Sequence, residues 1–198
     1  MSGKYYIIEG LDFSGKSTHS KALARRLQDR GEKVIWTCEP GSPLHSLNVR
    51  NFLLSKQNIS PKALELIYQA DRAEHCEALK TYLENDYSIV SDRSFISGLA
   101  YAMAKGFKFE DITPLLQFVG VLKPTGIIFL DISAEEFKAR KLSSGLEATR
   151  EEGHSEDFYI NLVANFKKIV ETMQLPYIGI DGSKSMDEIE KIIDAFVG

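Results

Sequence analysis

A glycine-framed loop near the start of the chain constrains its fold more than any other feature. Gly10, Gly15, Lys16 and Ser17 fit the pattern G-x-x-x-x-G-K-[ST], after the apolar run YYII and before a segment with helical periodicity. Such glycines let successive backbone N–H groups point at one anion, at a helix start whose dipole favours negative charge. The lysine places a cation on a nucleotide's β- and γ-phosphates, and the serine hydroxyl is suited to Mg²⁺. The predicted phosphate site comprises Gly10, Leu11, Asp12, Phe13, Ser14, Gly15, Lys16, Ser17 and Thr18.

Short apolar runs alternate with longer amphipathic segments, a pattern typical of parallel βαβ units. It predicts strands at 4–9, 33–38, 87–92, 126–132 and 177–180. Helices are expected from 17 to the DRG stop, and at 44–55, 61–83, 95–104, 111–122, 133–142, 156–173 and 185–197. The polar segment 143–155 predicts a mobile surface loop. The sequence therefore favours one α/β domain over 1–198, a five-stranded parallel sheet flanked by helices, with a lid at about 143–155.

Composition narrows the classes of partner. The formal net charge of -4 gives no electrostatic reason to expect nucleic acid or an anionic membrane as a partner. No stretch approaches the roughly 18 consecutive apolar residues of a membrane helix. Cys38 and Cys76 are far apart and form no C-x-x-C pair, so neither a zinc site nor a disulfide framework is indicated. The N-terminus lacks the pattern of a cleavable signal, and we expect a cytoplasmic protein.

The third predicted strand ends in an acid followed by a base. Asp92 falls where proteins with this loop hold Mg²⁺ or its water, and Arg93 comes next. Ligands of open α/β sheets bind beyond the carboxyl ends of the strands. Both side chains are therefore expected to face Gly15 and Lys16 across a crevice.

Further cations and an aromatic residue suggest what accepts the phosphate. Arg50 lies on the short helix predicted after Pro40, and Tyr68 and Arg72 are four residues apart, on one face of a helix. They could stack on and hydrogen-bond a nucleobase. Taken alone, the pair is more typical of ordinary packing by Tyr68 and a surface ion pair by Arg72.

The chemistry of the acceptor separates two enzyme classes. A hydroxyl acceptor benefits from a carboxylate base, whereas a phosphate monoester is mostly dianionic at neutral pH, because its second pKa is about 6. A monoester instead needs cations on its own side, which Arg50, Arg72 and Arg93 could supply. This favours a nucleoside monophosphate, although Asp12 leaves open a deoxynucleoside kinase that phosphorylates a sugar hydroxyl. A GTP-binding switch is the third alternative, but the chain has no N-K-x-D guanine signature.

Four segments together resemble the thymidylate kinase family, from Tyr5 to about Asp181. EGLDFSGKST fits that family's loop, Glu39-Pro40-Gly41-Ser42 its EPGG segment, LIYQADRAEH its LLFxADRxxH segment, and DRSFISGLAY its DRxxxSxxAY segment. The resemblance implies transfer of the γ-phosphoryl group of ATP to dTMP with Mg²⁺, which is held through Ser17 and Asp92. It also implies a homodimer.

The resemblance also assigns roles to residues one by one. Tyr68 is similar to a phenylalanine that stacks on thymine, and Arg72 to the arginine that contacts that base. Arg93 and Arg50 would hold the acceptor phosphate. The remaining matches are Glu39 and Pro40 in the substrate site, Ser97 near the base, Tyr101 against the deoxyribose, and Asp12 on the 3′-hydroxyl.

Members of this family differ from one another at one loop position, and the lid is the part of this chain that resembles the family least. Some thymidylate kinases carry an arginine at the position of Phe13, and others take that cation from the lid. In this chain the lid offers Arg140, Lys141 and Arg150, and counting back from DFY places Arg150 at a relative's lid arginine. The catalytic set implied by the resemblance is therefore Lys16, Asp92, Arg93 and Arg150.

Replacement of Arg150 by alanine tests the role of the lid. Because a lid cation neutralises charge chiefly in the transition state, Arg150→Ala should lower kcat far more than it weakens dTMP binding. Steady-state kinetics with dTMP varied at saturating ATP separate the two effects. A variant that changes only KM would make Arg150 a bystander.

Overall fold

A computed structural model describes residues 3–47, 49–55, 58–145 and 156–198. The strands are β1 (Tyr5–Gly10), β2 (Val34–Cys38), β3 (Ser88–Asp92), β4 (Gly126–Asp131) and β5 (Tyr177–Asp181). The helices are α1 (Lys16–Asp29), α2 (Arg50–Leu54), α3 (Pro61–Glu84), α4 (Phe95–Ala104), α5 (Phe109–Phe118), α6 (Ala134–Ser144), α7 (Glu156–Thr172) and α8 (Met186–Val197). None of the helices within these ranges is long and apolar enough to cross a membrane.

The sheet has the order β2-β3-β1-β4-β5, and all its strands are parallel, as predicted. β1 occupies the centre, between β3 and β4. The loop that follows β1 therefore opens at the middle of the carboxyl edge, where ligands of such sheets bind. The register pairs Ile8 of β1 with Asp92, so the end of β3 lies beside that loop.

The core consists of two layers, because side chains alternate along the buried strands. Tyr5 and Ile7 of β1 face the layer that contains α4 and α7, where Leu99 and Phe166 are fully buried. Tyr6 and Ile8 face the opposite layer, built on α1 and α8. With both faces covered, a ligand can approach the sheet at its carboxyl edge, where the loop after β1 lies.

Three predicted segments are corrected by the structure. The helix expected at 44–55 is reduced to Arg50–Leu54, because the Ser42 hydroxyl accepts from the Leu44 amide and holds residues 43–46 in turns. The helix expected at 111–122 spans Phe109–Phe118, because Gly120 has a left-handed φ of +72° and the chain reverses there.

The third correction concerns the start of the lid. Helix α6 continues through Ser144 and ends at Gly145, whose φ is +61°. The prediction therefore placed the start of the loop, at 143, two residues too early. The rest of the predicted lid, 146–155, lies outside the described residues, as does Arg150.

Candidate active site

The glycine-framed loop joins β1 to α1 with the geometry of a phosphate site. Gly15 adopts a φ of +95° at the helix start, and its carbonyl accepts from the Thr18 and His19 amides at 3.0 Å each. A Cβ atom on Gly10 would lie 2.5 Å from the Leu130 carbonyl oxygen of β4, so only glycine fits there. The glycine pattern thus reflects both backbone curvature and the close approach of β4.

The Lys16 side chain folds back over this loop. Its Nζ atom donates to the Leu11 carbonyl at 2.5 Å, and the side chain is buried. Burial, together with the nearby Arg93 guanidinium, lowers the pKa of Lys16 to about 8. An anion placed in the loop would favour the protonated lysine and reverse this effect.

The carboxyl end of β3 meets the start of α1 at Asp92. Ser17 donates its hydroxyl hydrogen to Asp92 Oδ2, and Asp92 Oδ1 is buried with no hydrogen-bond partner among the described residues. A buried, unpartnered carboxylate oxygen beside a hydroxyl is suited to a hard cation with oxygen ligands, and Mg²⁺ needs few protein ligands because it keeps several waters. The two residues predicted to hold the metal thus fit it.

Arg93 connects the loop to the opposite side of the cavity. Its backbone is left-handed, with a φ of +72°, which turns the guanidinium back toward β1. It donates to the Gly10 carbonyl at 3.4 Å and to Ser97 Oγ at 3.0 Å, and it forms an ion pair with Asp12. Burial opposes ionisation of Asp12, but Arg93 and Lys16 outweigh it, and the pKa of Asp12 lies below its usual value.

A second carboxylate, that of Glu9, is connected to Arg93 through Ser97. Glu9 is fully buried and accepts from Ser94 Oγ at 2.8 Å, from the Ser97 amide at 3.3 Å and from Ser97 Oγ at 2.5 Å. Burial raises the pKa of Glu9 to about 7, although Arg93 and the two hydroxyls act against the rise. The Ser97 hydroxyl, predicted to lie near the base, is therefore bonded to Glu9 and Arg93.

Helix α3 supplies the far wall of the cavity. Tyr68 and Arg72, which were predicted to share one face of a helix, both line it. Arg72 is 3% exposed, and its Nε atom donates to Glu39 Oε2 at 3.1 Å, so the alternative of a surface ion pair is wrong. Its Nη1 atom is buried and has no partner in the described part of the chain. Burial opposes ionisation of Glu39, but Arg72 and His75 together lower its pKa.

Arg50 and Tyr101 also line the cavity. Arg50, the first residue of α2, donates from Nη1 to the Pro40 carbonyl. Tyr101 donates to Asp12 Oδ2 at 3.4 Å, and its ring lies 5.7 Å from the Arg93 guanidinium carbon. Both oxygens of Asp12 thus have partners within the protein.

These groups surround one cavity of about 610 Å³. The predicted site residues that line it are Asp12, Phe13, Gly15, Lys16, Ser17, Thr18, Glu39, Pro40, Arg50, Tyr68, Arg72, Asp92, Arg93, Ser97 and Tyr101. Gly10, Leu11 and Ser14 lie behind this lining, where the first two offer their carbonyls to Arg93 and Lys16. Arg150 lies outside the described residues.

The sequence prediction missed contributions from Arg140 and Gly98. Arg140 of α6, predicted only as one of three lid cations, donates to the Phe13 carbonyl at 3.1 Å and to the Gly182 carbonyl at 2.7 Å. Among the described residues, Arg140 thus brings a cation from α6 to the P-loop at Phe13, a position where the loop itself carries no charge.

Gly98 is the second residue that the sequence prediction missed. A Cβ atom on Gly98 would lie 2.3 Å from Arg72 Nη2. The sequence did hold an indication of this contact. A glycine inside a predicted helix lowers helix stability by about 1 kcal/mol relative to alanine, which suggests a packing or functional role.

The geometry defines the class of the protein. A glycine-framed loop between a strand and a helix opens into a cavity lined by Lys16, Arg72 and Arg93, an arrangement typical of P-loop phosphotransferases. The comparisons with known proteins then give the family. The family model described as thymidylate kinase matches residues 8–193.

Curated relatives and a solved structure agree with that match. The chain is 31% identical to the thymidylate kinase of Aliarcobacter butzleri over 194 residues, which cover 98% of each chain. It is 32% identical to that of Sulfurovum sp. over 193 residues, which cover 96% of each. The crystal structure of thymidylate kinase from Ehrlichia chaffeensis shares the fold, with a TM-score of 0.79, 22% identity and full coverage of both chains.

The chain therefore belongs to the thymidylate kinase family. Members of this family transfer the γ-phosphoryl group of ATP to dTMP, and this chain is an ATP-dependent phosphotransferase of that kind.

The raised pKa of Glu9 predicts a pH dependence of stability. Between its unfolded pKa and about 7, the folded chain holds the Glu9 proton that the unfolded chain has lost, so stability falls as pH rises through this window. The fall amounts to at most about 3 kcal/mol. Denaturant unfolding of wild type and Glu9→Gln at pH 5.5 and pH 8.5 measures the part of this fall that lies above pH 5.5, because the glutamine cannot titrate. Identical pH dependences in the two proteins would show that Glu9 has an ordinary pKa.

Proposed function

We propose that the chain phosphorylates dTMP with ATP in this cavity, giving dTDP and ADP, and that the predicted residues perform the roles below. The observation that carries the proposal is the position of Arg93. Its guanidinium lies between the P-loop, through Gly10 and Asp12, and the acceptor wall, through Ser97 and Tyr101. A cation at that point can contact both phosphate groups that must meet.

On the donor side, the loop from Gly10 to Thr18 holds the ATP phosphates by its backbone N–H groups. Lys16 moves from the Leu11 carbonyl to the β- and γ-phosphates, where its charge offsets the charge of the transferred group. Ser17 and Asp92 would hold Mg²⁺, which supplies further charge neutralisation of the phosphates when bound. The support for this assignment is the unpartnered Asp92 Oδ1 atom.

On the acceptor side, Arg93 and Arg50 hold the dTMP phosphate. A phosphate oxygen of dTMP attacks the γ-phosphorus of ATP, and ADP leaves. The attacking group is already ionised, because the second pKa of a phosphate monoester is about 6, so no general base is required. The protein contributes position and charge, which supply most of the acceleration in such reactions. This agrees with Asp12, whose ion pair and lowered pKa make it a weak base.

The thymine ring stacks on Tyr68, and Arg72 donates from its unpartnered Nη1 atom to a ring carbonyl. Glu39 and Pro40 form the wall beside the base, and Ser97 lies at its edge. Tyr101 packs against the deoxyribose where a 2′-hydroxyl would otherwise fit, and Asp12 accepts from the 3′-hydroxyl. These contacts distinguish the acceptor by its base and its sugar.

Closure of the lid completes the site. Arg150 would neutralise the transferred group when the lid closes and excludes water, which limits wasteful hydrolysis of ATP. Arg140 already contacts the P-loop at Phe13 and is placed to share this role. The protein would act in the cytoplasm as one domain, as a homodimer, without a nucleic-acid or membrane partner.

A coupled ADP-release assay with dTMP, dUMP, thymidine and GTP tests this function. We expect ADP release with dTMP, and Lys16→Ala should lower turnover by orders of magnitude while the fold is retained, because the transferred group loses its fixed cation. Circular dichroism of the Lys16→Ala variant measures whether its fold is retained. Release with thymidine but not dTMP would identify a deoxynucleoside kinase, and near-normal activity of Lys16→Ala would contradict the loop assignment.

Two variants of Tyr101 test discrimination between sugars. Tyr101→Phe should change it little, because the ring does the blocking, whereas Tyr101→Ala should admit ribonucleotides by removing the ring. The measurement is the ratio of kcat/KM for dTMP to that for ribothymidine monophosphate. If both variants discriminate as wild type does, the steric account is wrong.

A further inference from the structure

We propose that His75 is a positioning residue that fixes Arg72 through Glu39, and that it thereby sets the base selectivity of the acceptor site. This inference rests on the proposed contact between Arg72 and the base. His75 itself lines no part of the cavity; it is fully buried behind the cavity wall. It acts through hydrogen bonds that join α3 to the end of β2.

The hydrogen bonds form a continuous series. His75 Nδ1 lies 2.8 Å from Glu39 Oε1, and His75 Nε2 lies 2.9 Å from Thr37 Oγ1. Thr37 Oγ1 lies 2.8 Å from Ser42 Oγ, which accepts from the Leu44 amide at 3.1 Å. We call these five residues the His75 relay. Glu39, His75, Thr37 and Ser42 are each buried, so water does not compete for their bonds.

The hydrogen positions in the relay follow from its two ends. Glu39 has a lowered pKa and, when ionised, can only accept, so His75 Nδ1 carries a hydrogen. In a neutral imidazole Nε2 then accepts from the Thr37 hydroxyl, and Thr37 in turn accepts from Ser42. The Leu44 amide donates to Ser42 and completes the series. In this arrangement each of the four bonds has one donor and one acceptor.

The relay determines where the Arg72 guanidinium points. Both carboxylate oxygens of Glu39 are used, Oε1 by His75 and Oε2 by Arg72 Nε, so the carboxylate cannot rotate without losing a bond. A guanidinium is planar, so a fixed Nε restricts the direction of Nη1, the unpartnered donor at the cavity. The missing Cβ atom of Gly98 gives Nη2 its space on the other side. Arg72 is thus held on two sides before any base enters.

The relay also joins the two parts of the acceptor site. The Leu44 amide belongs to the turn that leads to Arg50, and the Gly41 amide in the same segment donates to Asp71 Oδ2 at 2.9 Å. Asp71 precedes Arg72 on α3. The segment proposed to bind the acceptor phosphate and the helix proposed to bind the base are therefore held in one register.

The experiment compares dTMP with 5-methyl-dCMP, whose ring keeps the methyl group and carries an amino group in place of the 4-carbonyl. A correctly placed arginine donor favours the carbonyl, so the ratio of kcat/KM for dTMP over 5-methyl-dCMP reports the position of Arg72. This ratio does not depend on the fraction of folded enzyme. We expect His75→Leu to raise KM for dTMP about tenfold and to lower the ratio similarly, while KM for ATP stays within about twofold.

Three further variants make the result interpretable. Thr37→Val is nearly isosteric and removes only the hydroxyl bonds, so a smaller decrease, of about threefold, is expected even if His75→Leu fails to fold. His75→Asn keeps an N–H group near the Nδ1 position and should restore most of the selectivity. Cys76→Ala changes the adjacent buried residue of α3, outside the relay, and should leave the ratio unchanged.

Gly98→Ala separates this inference from the function on which it rests. It displaces Arg72 directly, so it should lower the ratio whether or not the relay matters. If Gly98→Ala leaves the ratio unchanged, Arg72 does not contact the base and the proposed role of Arg72 is wrong. If Gly98→Ala lowers the ratio but Thr37→Val and folded His75→Leu do not, the relay does not position Arg72 and the inference is overturned.

Discussion

The ion pair between Arg93 and Asp12 is the interaction on which the rest of the site depends. It joins the end of β3 to the loop after β1, and the left-handed backbone at Arg93 is what turns the guanidinium toward that loop. Glu9 holds Ser97, and Ser97 holds Arg93, so the start of α4 is tied to the same cluster. Loss of the pair would take from two partly buried charges their strongest partner, which is costly in a poorly solvated cleft.

Burial of these charges is what makes the site chemically useful. Lys16, Arg72 and Asp92 are all buried at the carboxyl edge, where each interacts with a charge or dipole of the protein more strongly than in water. Asp92 Oδ1 and Arg72 Nη1 are among the buried atoms that have no hydrogen-bond partner within the described residues. In our account these atoms are the positions at which ligands complete the network, one on the donor side and one on the acceptor side.

The sequence predicted the sheet and the phosphate loop well, because both depend on local patterns. A strand buried on both faces is a continuous apolar run, and a P-loop is defined by glycines at fixed spacing. The sequence prediction of secondary structure was less accurate where tertiary contacts override local preference. At 43–46 a serine hydroxyl stabilises turns in place of the predicted helix. The His75 relay was not predictable, because Thr37 and His75 are 38 positions apart in the sequence and meet only in the folded chain. The contact between Arg140 and Phe13 likewise joins residues 127 positions apart.

The central claim is that a rigid guanidinium at position 93 bridges the donor and acceptor phosphates. Single-turnover phosphoryl transfer from ATP to dTMP, measured by rapid quench for wild type and Arg93→Lys, tests it most directly. Lysine keeps the charge but has no planar fork with which to contact Asp12, Ser97 and both phosphates together. The account predicts that the transfer rate constant falls by at least about 100-fold in Arg93→Lys, with ATP binding retained. A variant that transfers at the wild-type rate would contradict it, because charge alone would then be sufficient.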